Sequence, residues 1–543
     1  MKSSTTRLFN YSLTTLIVII AVFLGGCNSG GGSSASNVTP VNSGHLVLTP
    51  SSNSLNVSES SNLTLMLESS AGISSPITVT LTKSESGIVT LSESTCSLST
   101  DNSSCSINVI GNTESNVTIT ASASGYTSVQ SEFTVIFPYL SWTSQVGESG
   151  GVTGGYGISA DNNGNSYVAG ATTVGISGQT QTGNLDYFLA KYDESGVLIW
   201  SRQVGGSIGT TSGQGVHSDT AGNVYITGYT SRGISGQTQN GIRDYFVAKY
   251  NQDGTLVWSR QVGSSGGLTA GYGVITDTDN NIYITGSTNR GISGQTLNGV
   301  QDYFIAKYNE SGTLIWSRQV GSSGGTTFGL GISIDTSGSP YITGYTNRGI
   351  SGQTQNGNQD YFIAKYSESG TLIWSRQVGE SSGTTFGYGV SSDAESNTYV
   401  TGYTTVGISG QTQTGTQDYF IAKYSDSGSL IWTRQVGAIS GSTEASGISV
   451  NLSSNNLYIV GFTDVGISGQ TQNGDQDYFV AKYNDSGNLI WTDQIGSSGG
   501  DTRGYAISTD LNDNTYISGP TTVGISGQIQ NGDYDYFIAK YVP

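Results

Sequence analysis

The sequence predicts an all-β protein, most of which is built from seven copies of one four-stranded unit. All seven tryptophans open a Trp-[Ser/Thr]-x-Gln-[Val/Ile]-Gly segment, and they are spaced by 58 residues five times and by 59 once. An Asp-Tyr-Phe-x-Ala-Lys-Tyr segment recurs in step with them. A unit that repeats at a fixed period cannot bury its own faces, so neighbouring copies are expected to pack together.

Residues 1–26 have the pattern of an export signal. Two cations, Lys2 and Arg7, precede an apolar run from Leu16 to Leu24, which is too short to cross a bilayer as a mature helix. The sequence therefore predicts that this segment directs the chain out of the cytoplasm.

The signal ends in Leu24-Gly25-Gly26-Cys27, which resembles the lipobox of bacterial lipoproteins. That resemblance implies lipidation of Cys27, so that acyl chains anchor the protein to a membrane without a spanning helix. Asn28 follows the cysteine where an Asp would signal retention, which implies the outer membrane of the cell envelope, with surface exposure left open. Residues 27–44 are rich in Gly and Ser and are predicted to form a flexible tether.

Residues 45–137 are predicted to form a small β-sandwich. Short alternating runs such as Leu63–Leu67 and Ile77–Leu81 are separated by turns of Ser, Asn and Gly. The stretch resembles bacterial Ig-like domains, without the Cys, Trp, Cys pattern of antibody domains, and we expect it to act as a spacer. Cys96 and Cys105 are predicted to form a disulfide in an oxidising compartment.

Within residues 138–543 each repeat is predicted to hold four strands, A to D. In the first complete copy these strands are 156–161, 165–171, 186–192 and 197–204, and the A–B and C–D turns carry Asp, Asn, Ser and Gly. Four short antiparallel strands in each repeat are typical of a propeller blade. The sequence therefore predicts a β-propeller.

The count of strands predicts how the repeats join. Tyr139–Val146 has the pattern of a D strand with no A to C set before it, and the last A to C set has no D strand after it. The N-terminal strand is expected to complete the C-terminal blade, which makes seven blades and removes a free sheet edge. The Asp-Tyr-Phe-x-Ala-Lys-Tyr and Gly-x-Leu-x-Trp patterns resemble the SBBP seven-bladed β-propeller repeat family. This resemblance implies the fold and an extracytoplasmic location, but no activity.

The most uniform loop, Gly-Ile-Ser-Gly-Gln-Thr-Gln, joins strands B and C, so all seven copies are expected on one face of the ring. Its first glutamines form a candidate crown that binds a repeating protein or glycan ligand: Gln179, Gln237, Gln295, Gln353, Gln411, Gln470 and Gln528. The alternative is structural, with the glycines supplying positive φ and the isoleucine filling a gap between blades.

Charge and composition exclude several kinds of partner. The chain carries 20 Lys and Arg against 38 Asp and Glu, a net charge of -18, without the basic cluster that a nucleic acid requires. With only His45 and His217, a His-rich metal site is excluded. The acidic A–B turns, richest at Asp277 and Asp279, offer calcium ligands but are interpreted as ordinary hairpin turns. No metal or cofactor is predicted, and the repeated lysines and arginines are expected on solvated strand faces, paired with nearby acids.

Two enzyme classes resemble parts of the repeat. The Asp-x-x-Gly-x-Leu-x-Trp pattern is similar to the Trp repeats of quinoprotein dehydrogenases, and residues 251–258 resemble the Asp-box of sialidases. Neither resemblance brings a catalytic set, since a vicinal Cys pair and an axial arginine triad are both missing. Near-identical blades also argue against an asymmetric catalytic centre.

The sequence therefore predicts a lipid-anchored envelope protein that displays a propeller for binding a protein or glycan. A structural scaffold in envelope assembly is the alternative, and an enzyme of unknown type is the third. We expect a monomer.

Overall fold

The computed structural model describes residues 45–56, 60–68, 76–99, 101–112, 115–136 and 139–543. The predicted signal, tether and Cys27 lie outside these residues. Within them, no helix is long and apolar enough to span a membrane. All of the regular secondary structure described is β-strand, which confirms the predicted all-β class.

The N-terminal strands form two packed sheets. Nine strands contribute: β1 (Leu46–Pro50), β2 (Ser54–Asn56), β3 (Ser60–Leu67), β4 (Ile77–Lys83), β5 (Val89–Leu91), β6 (Thr95–Leu98), β7 (Ser104–Gly111), β8 (Ser115–Ser122) and β9 (Val129–Ile136). Their orders are β1-β3-β7-β5 and β2-β9-β8-β4-β6. Alternate residues such as Leu63 and Leu65 on β3 and Ile119 on β8 share one buried core. Cys96 and Cys105 are joined by a disulfide with their Cα atoms 6.5 Å apart.

The repeats form the remaining 28 strands. They are β10 (Tyr139–Val146), β11 (Thr153–Ala160), β12 (Ser166–Thr172), β13 (Asp186–Tyr192), β14 (Leu198–Val204), β15 (Thr211–Ser218), β16 (Val224–Thr230), β17 (Asp244–Tyr250), β18 (Leu256–Val262), β19 (Thr269–Thr276), β20 (Ile282–Thr288), β21 (Asp302–Tyr308), β22 (Leu314–Val320), β23 (Thr327–Ile334), β24 (Pro340–Thr346), β25 (Asp360–Tyr366), β26 (Leu372–Val378), β27 (Thr385–Ser392), β28 (Thr398–Thr404), β29 (Asp418–Tyr424), β30 (Leu430–Val436), β31 (Thr443–Val450), β32 (Leu457–Thr463), β33 (Asp477–Tyr483), β34 (Leu489–Ile495), β35 (Ala506–Thr509), β36 (Thr515–Thr521) and β37 (Asp535–Val542).

These strands make seven four-stranded antiparallel sheets. Sheet 1 is β11–β14, sheet 2 is β15–β18, sheet 3 is β19–β22, sheet 4 is β23–β26, sheet 5 is β27–β30, sheet 6 is β31–β34, and sheet 7 joins β35–β37 to β10. In sheet 7, β10 pairs with β37 from Tyr139 opposite Val542 to Val146 opposite Tyr536. The predicted C strand has the observed bounds, whereas strand A begins three residues earlier than predicted, at Thr153.

Glycine explains both the early start of strand A and the close approach of the sheets. The first strand of each sheet contacts the first strand of the next, and β11 also contacts β35 and β36 of sheet 7. A Cβ atom on Gly157 would lie 2.7 Å from the Gln214 carbonyl oxygen, and one on Gly215 would lie 2.6 Å from the Tyr272 carbonyl oxygen. A Cβ atom on Gly155, just before the predicted start of strand A, would lie 2.2 Å from Ser518 Oγ of sheet 7. Glycines that resemble a loop in sequence therefore serve close strand packing.

Aromatic side chains fill the spaces between sheets. Tyr187 of sheet 1 stacks on Phe246 of sheet 2, with ring centroids 5.0 Å apart, and its hydroxyl lies 2.5 Å from that of Tyr250. The Trp200 Nε1–H donates to the Gln252 carbonyl in the next sheet, at 3.0 Å. The tryptophans therefore pack between sheets.

The repeated lysines pair with nearby acids as expected, but the expectation that they lie on solvated faces is wrong. Lys365 is 5 % exposed, and its Nζ lies 2.9 Å from Asp335 of its own sheet and also pairs with Asp426 of the next. The Arg202 guanidinium stacks over Trp200 at 5.4 Å, and its Nε donates to the Gly254 carbonyl of the next sheet. These cations link neighbouring sheets, because the strands that carry them are covered by those sheets.

Candidate binding face

The B–C loops and the D–A connections lie side by side at one end of the sheets. The Thr210 amide donates to Ser231 Oγ at 2.9 Å, which ties a D–A connection to the B–C loop that follows it. The Asn184 amide donates to the Gly209 carbonyl at 2.8 Å, which ties the same connection to the preceding loop. We call this end the B–C face.

Each B–C loop is held by a tight turn. In sheet 1 the backbone N–H of Gln179 donates to the backbone carbonyl of Ile176 at 2.9 Å, while Ser177 and Gly178 have φ of 50° and 75°. Two positive φ values at the centre are the signature of a type I′ turn. Ile176 is 1 % exposed and packs among residues of sheets 1 and 7. The turn thus drives an apolar side chain between two sheets.

A buried polar clamp fixes the rest of the loop. Asp186 is fully buried and accepts bonds from the Gly183 and Thr182 amides, both at 2.7 Å. The Gln203 Nε2 donates to the same carboxylate at 3.0 Å, while its Oε1 accepts from the Ile176 amide at 3.2 Å. The recurrent Asp of Asp-Tyr-Phe and the Gln of Trp-Ser-Arg-Gln therefore act together to hold the loop.

The predicted glutamine crown lies on this face, with each member at an equivalent turn and half-buried: Gln179, Gln237, Gln295, Gln353, Gln411, Gln470 and Gln528. The Gln470 Nε2 donates to the Thr492 carbonyl at 2.9 Å. The clamp and the buried isoleucines give these loops a structural role that holds whether or not the glutamines also contact a ligand.

The B–C face also carries an aromatic patch that the sequence does not single out. It uses three positions of the repeat, the second and fourth of strand A and the sixth of strand B, which differ from copy to copy. Half-buried aromatic rings occupy ten of these positions: Tyr156, Tyr229, Tyr272, Phe328, Tyr345, Phe386, Tyr388, Tyr403, Phe462 and Tyr505.

The rings of this patch form a row across sheets 4 and 5. Phe328 stacks on Tyr345 at 5.0 Å, Tyr345 meets Phe386 edge-on at 4.1 Å, and Phe386 stacks on Tyr403 at 5.0 Å. These contacts arise because the second residue of strand A pairs directly with the sixth of strand B. The rings are half-buried, so part of each ring remains accessible to solvent.

Charged groups border the patch. Burial raises the pKa of Glu444 to about 7, and the nearby Arg503 partly offsets the rise. The Arg503 guanidinium lies over Phe462 at 5.2 Å, and Arg243 lies over Tyr229 at 4.5 Å. The patch therefore combines apolar rings with fixed cations, the groups that dominate many binding sites.

The opposite end of the sheets holds a cavity of about 560 Å³, lined by residues of all seven sheets. His217 lines it, and its Nε2 lies 3.1 Å from Thr276 Oγ1. Burial lowers the pKa of His217 to about 4, so the imidazole is neutral at physiological pH. Asp277 accepts the amides of its own turn and pairs with Lys307 at 3.2 Å. Across the described residues no three His, Cys, Asp or Glu side chains could hold a metal.

Sequence reasoning missed the aromatic patch because it followed the positions that all repeats share. Those positions carry the turn, the clamp and the packing between sheets, and in a repeat protein they are the positions that build the fold. The signal that could have found the patch is variation among the copies. Position two of strand A, for example, is Ser212, Phe328 or Glu444 in different repeats.

Comparison with known proteins agrees with the repeat architecture. The family described as β-propeller repeat (SBBP) matches residues 141–176, 199–233, 257–292, 315–350 and 373–408. An uncharacterized WD repeat-containing protein of Acanthamoeba polyphaga mimivirus is 23% identical over 68% of this chain. That alignment spans only 34% of the relative, so the chain matches about a third of its length.

Similar solved structures are distant. The rhamnogalacturonan lyase YesW is 10% identical with a TM-score of 0.30, covering 92% of this chain and 89% of the lyase. A rhamnogalacturonan lyase of Bacillus licheniformis is 10% identical with a TM-score of 0.27, covering 91% and 88%. Neither similarity carries an argument about activity. The five matched repeats and the repeated four-stranded sheets support a β-propeller repeat protein.

Proposed function

We propose that the chain is a lipid-anchored protein of the bacterial cell envelope that binds a partner through the B–C face of a seven-bladed propeller. The observation that carries the proposal is the placement of variation. Three positions of the repeat that differ between copies come together on one face, and aromatic rings occupy ten of these sites. A surface that differs between copies while the scaffold stays constant is typical of a recognition site.

The ring is supported by the contacts of sheet 7. Its outer strand β10 pairs with β37, and its strands β35 and β36 contact β11 of sheet 1. Deleting Tyr139–Val146 is therefore expected to destabilise all seven sheets, because the last sheet loses its outer strand and the joint between the chain ends. Thermal unfolding of this deletion should shift far more than that of a chain lacking residues 45–137. Equal shifts would contradict closure.

The anchor rests on Cys27 and on the apolar run before it. Residues 45–137, as an Ig-like spacer stapled between Cys96 and Cys105, would hold the ring away from the membrane. Cys27→Ala should move the protein from the detergent phase to the aqueous phase, because acylation is the proposed anchor. Recovery of this variant in the detergent phase at the wild-type level would contradict lipid anchoring.

Binding is proposed to involve no catalysis, since the B–C face brings together rings and cations rather than a nucleophile with its base. A screen of the full chain against glycans and envelope or matrix proteins would test it. We expect a hit whose affinity falls about tenfold or more in Tyr345→Ser/Tyr403→Ser, because two contact rings are lost. The matched control is Tyr139→Ser, an exposed tyrosine away from this face. A hit that is equally tight in all variants would contradict binding at the patch.

The glutamine crown is tested on the same hit. If the loops bind a repeating ligand, Gln353→Ala should change affinity slightly, whereas four such substitutions together should cost far more than four times that effect. Binding that survives the fourfold variant would leave the glutamines with a structural role only.

A further inference from the structure

The charges of the B–C face are segregated. The loops of sheets 2 to 4 carry four arginines, which we call the basic arc: Arg232, Arg243, Arg290 and Arg348. The B–C loops of these sheets contain no acid, and the residue that follows each loop is a buried clamp aspartate, such as Asp302. In a chain of net charge -18, a loop cluster with this sign stands out.

The loops of sheets 5 to 7 have the opposite charge. They carry six acids, which we call the acidic arc: Glu148, Glu380, Asp464, Asp475, Asp501 and Asp533. Arg503 is the one described cation beside them, and it faces Asp501 at 3.7 Å. In a ring of seven blades, the centres of the two arcs lie on opposite sides of the axis.

The arginines of the basic arc are held in place but not neutralised. The Arg232 stem packs on the D–A connection, since a Cβ on Gly209 would lie 2.4 Å from its Cγ, and its Nη1 donates to the Ser231 carbonyl at 2.8 Å. Arg290 bonds the Asn289 carbonyl in the same way. Neither arginine forms an ion pair with another described residue. Both side chains are exposed, so their remaining N–H donors can bind a carboxylate.

Aliphatic side chains stand beside the basic arc. Ile208 is 74% exposed, Ile242 59% and Val300 62%. Ile208 has a φ of 58°, a left-handed conformation that a β-branched residue rarely adopts, at a position where other repeats have Gly or Ser. On the acidic side, Ile439 is 83% exposed. Exposed aliphatic groups next to charges favour a protein surface over a polysaccharide as the occupant.

We infer that the occupant of the B–C face is the same face of a second copy of this chain. A twofold axis lying in the plane of the face, between the two arcs, places the basic arc of each copy on the acidic arc of the other. Such an isologous contact needs one self-complementary surface, which segregated charges supply. The inference rests on the proposed ring and on its proposed role in binding, and it replaces the monomer expected from the sequence.

Charge exchange tests the pairing. One variant reverses the basic arc with Arg232→Glu, Arg290→Glu and Arg348→Glu. The other reverses the acidic arc with Glu380→Lys, Asp475→Lys and Asp533→Lys; all six side chains are exposed. Both are made in the full chain carrying Cys27→Ala, and far-UV circular dichroism with thermal unfolding establishes that each is folded. Sedimentation equilibrium then measures the oligomeric state up to about 0.1 mM.

The wild-type face is expected to give a dimer that weakens about tenfold or more from low salt to about 0.5 M salt, because the charged contacts are screened. Each variant alone should be monomeric, and an equimolar mixture should restore the dimer, since a face with mostly acidic loops then meets a face whose loops carry mostly basic groups. Rescue by mixing is a result that loss of folding or a changed net charge would not produce.

Three outcomes overturn the inference: a monomeric wild-type face at low salt, variants that dimerise as the wild type does, or no dimer in the mixture. A monomeric wild type that binds an immobilised anionic polysaccharide, and loses that binding with the basic arc reversed, would overturn self-association. The proposed function would then stand with a glycan partner. A face that binds neither would contradict both.

Discussion

Asp302→Ala tests the view that the recurrent aspartate is a structural clamp rather than a ligand-binding acid. Asp302 is fully buried, and its carboxylate accepts three bonds, from the amides of Gly299 and Asn298 at 2.7 Å and from Gln319 Nε2 at 3.0 Å. The alanine variant removes all three acceptors and leaves three donors unpaired.

The magnitude follows from the bonds. A hydrogen bond to a charged group contributes about 1.5–3 kcal/mol, but the loop can relax and hydrate part of what is exposed. We expect a loss of about 3–5 kcal/mol in the free energy of unfolding. For the roughly 400 residues of the repeats this corresponds to a fall in Tm of about 4–6 °C.

Chemical denaturation and calorimetry of the full chain would measure this loss. Asp302→Asn keeps one acceptor oxygen and should fall between the wild type and the alanine variant. Gln353→Ala, in the B–C loop of the next sheet, is the matched control and should change stability by less than about 0.5 kcal/mol. A loss below about 1 kcal/mol for Asp302→Ala, or one equal to the control, would refute the clamp.

Three further predictions concern side chains between the sheets. Lys365→Met should lower the free energy of unfolding by about 3–5 kcal/mol in denaturation experiments, because it leaves a buried carboxylate without its cation. A loss below about 1 kcal/mol would instead support a solvated lysine. Trp374→Phe should cost about 1 kcal/mol more in the free energy of unfolding than Trp491→Phe. The reason is that the Trp374 Nε1–H donates to a carbonyl at 2.9 Å, while Trp491 Nε1 has no partner among the described residues. Equal losses for the two variants would contradict a stabilising role of the Trp374 hydrogen bond. Because burial raises the pKa of Glu444 to about 7, the folded protein holds a proton that the unfolded chain releases above about pH 4.5, so wild-type stability should fall by about 2–3 kcal/mol between pH 4.5 and 7. Glu444→Gln should abolish that part of the pH dependence, and an unchanged slope would show that another group titrates.

Local sequence patterns predicted the elements well. Asp186–Tyr192 has the predicted bounds, because its alternating large residues and flanking turns are local signals. The start of strand A was predicted too far along the chain, because Gly154 and Gly155 resemble a loop in the sequence and only the structure shows that they lie in the strand. The burial of Lys365 was also missed, because alternation assumes one solvated face and this strand is covered on both.

The candidate site likewise contains one feature that the sequence predicted and one that it did not. The uniform loop led to the glutamines, whose positions on one face follow from the period alone. The aromatic row could not be predicted, because Tyr345 and Phe386 are 41 residues apart in the sequence and meet only across two sheets, at 4.1 Å. Whether a variable position faces solvent, the axis or a neighbour depends on register, which is set by pairing and not by composition.

By itself, the sequence determined the all-β class, the number of repeats and the order of strands within each repeat, because these depend on periodicity and short-range turn chemistry. The tertiary structure decided which shared residues are structural, such as Asp302 and Gln319, and which unshared residues gather on one face. The physical reason is that burial, ion pairing and ring contacts depend on groups brought together from separate repeats, and a one-dimensional pattern does not carry those distances.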